Sequence, residues 1–112
     1  MELIDKLYKK GNYTIQKSIN LEDKLYTRLK EIADNDFENT FSDLVNICVE
    51  NLIEHKSNIK YYAKPQYEIT IYRSIMIRKD NVVRLEKIKK ETGISVTRLV
   101  NIVIKEFLEE FK

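Results

Sequence analysis

The sequence has no tryptophan, one cysteine, one histidine, one proline and two glycines in 112 residues. Each shortage excludes something. With Cys48 alone there is no internal disulfide, and a reducing, cytoplasmic setting is the expectation. His55 lies seven residues from Cys48, and one of each is a poor metal site, so no metal is expected. No glycine-rich phosphate loop, nucleophile–base pair or paired-carboxylate motif is present; neither an enzyme, a cofactor nor a small-molecule ligand is expected. Scarce Gly and Pro favour long helices joined by few tight turns. No apolar run reaches membrane-spanning length, and the N-terminal MELIDKLYKKG is too acidic and too short in apolar core for a signal peptide.

The net charge of +2 is small but unevenly placed. Residues 1–56 carry 8 Lys/Arg against 11 Asp/Glu, and residues 57–112 carry 12 against 7. The second half is therefore the stronger candidate for contact with an anionic partner.

An internal repeat organises the chain. At an offset of 56, Thr14, Ile15, Ser18, Ile19, Arg28, Leu29 and Ile32 recur as Thr70, Ile71, Ser74, Ile75, Arg84, Leu85 and Ile88, and Lys17 meets Arg73. The tetrapeptide LVNI at 44–47 recurs at 99–102, one residue out of step. The boundaries that follow are an extension at 1–12, unit 1 at 13–56, a linker at 57–67 broken by Pro65, and unit 2 at 68–112.

Each unit reads as one strand and two helices. Ile15, Lys17, Ile19 and Leu21 alternate with Gln16, Ser18 and Asn20; Ile71, Arg73, Ile75 and Ile77 alternate with Tyr72, Ser74 and Met76. That period of two predicts half-buried strands. A first helix follows from Leu25/Tyr26, Leu29 and Ile32/Ala33, and again from Val82, Leu85 and Ile88/Lys89. Thr40 and Ser95 predict N-caps for the second helices, with Asp43 three residues after Thr40. The expected apolar faces are Leu44, Ile47/Cys48 and Leu52, then Leu99, Ile102/Val103 and Phe107. Gly93 suits a left-handed helix terminus, with Asn35 as its equivalent in unit 1.

A lone strand leaves its backbone groups unpaired, so the two copies are expected to share one antiparallel sheet. The expected fold is mostly α with a two-stranded antiparallel β-ribbon. The order of elements, and segments such as IMIRKDNV and TGISVTRLVNIVIKEFL, resemble the ribbon-helix-helix family that includes the Arc and MetJ repressors. Two units in one chain resemble the tandem TraY-type conjugation proteins. The resemblance implies two β-α-α units forming one intramolecular pseudo-dimer that binds double-stranded DNA.

Strand parity turns Gln16, Ser18, Asn20, Tyr72, Ser74 and Met76 outward, where a ribbon in the major groove reads bases. Phosphate contacts are expected at the starts of the second helices, Thr40, Phe41 and Ser42 and Ser95, Val96 and Thr97, and from Lys17 and Arg73, with Arg78, Lys79 and Arg98 near the same surface. The leading expectation is a transcriptional repressor, with self-association on adjacent sites possible. The alternative is an accessory protein of plasmid conjugation or partition. An antitoxin ranks lower, since copy 2 stops with its second helix.

Overall fold

The computed structural model describes residues 13–35, 40–54 and 68–110. The expected extension 1–12, the linker 57–67, His55 and the side chain of Leu52 lie outside the described residues. Strand β1 (Thr14–Glu22) is followed by helices α1 (Asp23–Asn35) and α2 (Phe41–Glu54), and strand β2 (Thr70–Arg78) by α3 (Lys79–Thr92) and α4 (Val96–Glu110). The chain is thus mostly helical, with one two-stranded antiparallel sheet among the described residues.

The pairing of β1 with β2 centres on Ser18 opposite Ser74, which are also equivalents in the sequence repeat. Every other pair then has a mirrored counterpart: Ile15–Ile77 with Leu21–Ile71, and Lys17–Ile75 with Ile19–Arg73. The ladder continues past both strands. The Asp23 amide donates to the Ile69 carbonyl at 2.8 Å, and the equivalent Lys79 amide to the Tyr13 carbonyl at 3.1 Å. These bonds satisfy the first helical amides of α1 and α3, so both helices start directly from a strand; Arg78 gives α3 no side-chain cap.

Two asparagines tie each strand to the second helix of the opposite unit. Asn101 on α4 accepts the Glu22 amide at 2.9 Å and donates to the carbonyls of Asn20, at 3.0 Å, and Thr97, at 2.8 Å. Asn46 on α2 repeats the pattern with the Arg78 amide at 2.9 Å and the carbonyls of Met76, at 3.0 Å, and Ser42, at 2.9 Å. Both asparagines are buried, and each of their strand contacts stands in for a missing third strand on the ribbon.

The inner face of the ribbon (Ile19, Leu21, Ile75 and Ile77) closes one side of a core completed by Leu29, Leu44, Val45, Cys48, Val49, Leu85, Leu99, Val100 and Val103. The second helices are more deeply embedded than the expected single stripe. Residues 99–104 of α4 are buried without a break, as in a helix covered on all sides. In α2 the buried face is Leu44, Val45, Cys48 and Val49, while Ile47 is 38% exposed. At 100° per residue Ile47 falls behind that face, which corrects its assignment to the core; its equivalent, Ile102, is fully buried.

The caps follow the sequence. Thr40 Oγ1 accepts the Asp43 amide and Asp43 returns a carboxylate oxygen to the Thr40 amide, both at 3.2 Å. Ser95 Oγ accepts the Arg98 amide at 3.1 Å. Gly93 ends α3 at φ 79°, its amide bonded to the Lys89 carbonyl. Asn35 does not match it: it is the last residue of α1, and among the described residues no side-chain-bearing one has positive φ.

Candidate nucleic-acid interface

The outward face of the ribbon is where strand parity places it. Gln16, Ser18 and Asn20 on β1 and Tyr72, Ser74 and Met76 on β2 are all exposed. Register brings Gln16 beside Met76, Ser18 beside Ser74 and Asn20 beside Tyr72, with the two serine hydroxyls 3.4 Å apart. Tyr72 is 65% and Met76 43% exposed, large apolar surfaces that folding leaves to water.

The start of each second helix lies against an end of this face. Ser42 Oγ accepts the Met76 amide at 3.2 Å, which fixes the first turn of α2 beside β2 and leaves the serine its own proton to donate. At the other end, a cleft of about 280 Å³ is lined by Asn20, Glu22 and Thr70 of the ribbon and by Ser95, Thr97, Arg98 and Asn101 at the start of α4. Both helix starts carry first-turn amides that the helix itself cannot bond, and the positive end of a helix dipole, at the ribbon's margin. Phe41 and Val96 turn their side chains onto the core, so only their backbone faces outward as a donor.

The cations divide into two groups. Arg73, at core-side parity on β2, is exposed and stacks its guanidinium 5.1 Å from the centroid of Tyr26, whose ring tilts against Phe41 at 5.1 Å. That stack holds Arg73 near the α2 start, and no ion pair to a carboxylate holds it among the described residues. Lys17 is half-buried on β1. Arg98 instead bonds Glu22, with both side chains largely buried, and Arg78 bonds Glu50 at 2.8 Å. These two arginines are committed to carboxylates, which removes them from the expected positive surface. Lys79 is half-buried at the α3 start.

The two ion pairs each join a strand end to the second helix of the other half with acid and base exchanged, although Arg98 and Glu50 are not repeat equivalents. Glu22 and Arg78 occupy the same position in the repeat, the last residue of each strand. At one end the strand supplies the acid and helix α4 the base; at the other the strand supplies the base and α2 the acid. Asn81, buried on α3, adds amide bonds to Glu50 at 3.0 Å and Asn46 at 2.9 Å; its equivalent is Leu25. The asparagines at 46, 81 and 101 are the polar residues that composition and periodicity passed over. For Asn46 and Asn101 the signal was the Asn kept at the third place of both LVNI segments, between apolar neighbours on a helix face; Asn81, whose repeat equivalent is Leu25, had none.

Among the described residues no group of three His, Cys, Asp or Glu side chains is placed to hold a metal, and no helix is long and apolar enough to cross a membrane. Cys48 lies in the core, where burial pushes its thiol up to about 12. The folded protein is therefore expected to resist alkylation at pH 8 and to react fully once denatured, as mass spectrometry of iodoacetamide-treated samples would read. Compared with protein families, with curated proteins and with solved structures, the chain matches none.

Proposed function

We propose that the chain is a sequence-specific double-stranded DNA-binding protein, built as two ribbon-helix-helix units in one intramolecular pseudo-dimer. Its most economical role is a transcriptional repressor that occupies an operator. One observation carries this reading: six exposed side chains on a two-stranded ribbon lie between two capped helix starts. A ribbon of that width enters the major groove, and helix starts at its margins meet the flanking phosphates. Arg73 and Lys17 add charge at the same margins.

Among the six base-reading positions only the central serines match across the repeat, since Gln16 and Asn20 have Tyr72 and Met76 as equivalents. A non-palindromic site suits such a face. Two units joined in one chain also favour the accessory role in plasmid conjugation or partition, which uses the same interface on different DNA.

Asn20→Ala tests the base-reading assignment. On a duplex selected from a random pool, the variant is expected to lose about 1–3 kcal/mol of discrimination at one base position. Affinity for unrelated duplexes should stay near wild type. Equal weakening on every sequence would remove Asn20 from base reading.

A further inference from the structure

Each end of the ribbon's outer face sets one amide side chain beside one apolar or aromatic side chain: Gln16 with Met76, and Asn20 with Tyr72. Cross-strand neighbours of this kind have Cβ atoms about 4.5–5.5 Å apart, so each pair forms one two-part surface. An amide pairs bidentately with adenine N6 and N7, while an apolar group packs on the thymine methyl. An A·T pair shows both features on its major-groove edge, and a G·C pair shows neither the adenine pattern nor a methyl. Guanine is read chiefly by Arg or Lys, and the outer face offers none for that use among the described residues. Arg78 is the one cation at outward parity on either strand, and its guanidinium is bonded to Glu50.

From this we infer that both ends of the ribbon read A·T pairs, with Gln16 and Asn20 on adenine and Met76 and Tyr72 packed on thymine 5-methyl groups. The inference rests on the DNA-binding reading above and goes beyond it by naming the bases. Ser18 and Ser74, at the centre, donate or accept equally well and add no preference of their own.

The test compares the full chain on three duplexes at one ionic strength: alternating A·T, the same duplex with deoxyuridine for thymidine, and alternating G·C. Uracil keeps every hydrogen-bonding group of thymine and lacks only the methyl. The A·T duplex is expected to bind tightest, with the uracil duplex weaker by about fourfold for each methyl buried. Tyr72→Ala combined with Met76→Ala alters only exposed side chains, and should bring the thymine-to-uracil ratio close to one. Equal affinity for the thymine and uracil duplexes, or tighter binding of G·C, would overturn the inference and leave DNA binding standing. No binding of any of the three at low salt would instead overturn the DNA reading itself.

Discussion

Arg98→Glu is expected to cost about 3–5 kcal/mol of folding stability, the range for breaking a buried ion pair by removing one partner. Glu22 is 5% exposed, so the reversal would leave two carboxylates facing each other with little water to screen them. Adding Glu22→Arg in the same chain restores opposite charges and should recover at least half of the loss in urea denaturation. A double variant as unstable as Arg98→Glu alone would show that packing, and not charge, sets the cost. The swapped sense of the two junctions also bears on assembly. The repeat equivalent of Arg98 is Asp43, and that of Glu50 is Lys105. Pairing unit 1 with itself would set Glu22 against Asp43, and pairing unit 2 with itself would set Arg78 against Lys105. Only unit 1 with unit 2 matches charge at both ends.

Asn101→Ala should cost about 2–4 kcal/mol, because it strips partners from the buried Glu22 amide and from two carbonyls at once. Asn46→Ala removes the equivalent bonds and also leaves the Asn81 amide short of an acceptor, so a similar loss is expected. The two asparagines sit at opposite ends of the ribbon and bond different strand groups, so their costs should add. Losses below about 0.5 kcal/mol, the size of an ordinary surface change, would mean that water replaces the asparagines readily.

The faces of the ribbon were legible in the sequence because pleat parity is local: Ile19 and Leu21 had to turn in if Ser18 and Asn20 turned out. The caps at Thr40, Ser95 and Gly93 were legible for the same reason, each acting within four residues of itself. The depth of the second helices was not. Asn101 reads as a polar surface position until its partner, 79 residues away, is brought to it. Arg98 reads as free positive charge until Glu22 arrives from 76 residues away. Ile47 reads as core because its neighbours are apolar, and only the packing of α2 shows it behind the buried face. For Asn101 and Arg98 the deciding contact is made by the opposite unit. One half of the repeat, read alone, holds no record of what covers it.

For the candidate interface the same division applies. The outward residues and the helix starts came from local pattern, but their closeness came from the fold, through the Ser42 bond to Met76 and the cleft joining Asn20 to Ser95 and Thr97. Pairing also turned six separate outward residues into three cross-strand pairs. The proposed reading of bases depends on those pairs.

The most direct test of DNA binding is the affinity of the full chain for a random-sequence duplex, followed by fluorescence anisotropy as salt falls from about 200 to 50 mM. Contacts from Arg73, Lys17 and two helix starts predict binding that tightens steeply, with log affinity linear in log salt. Affinity that stays undetectable down to the lowest salt, for random and genomic duplexes alike, would contradict the account.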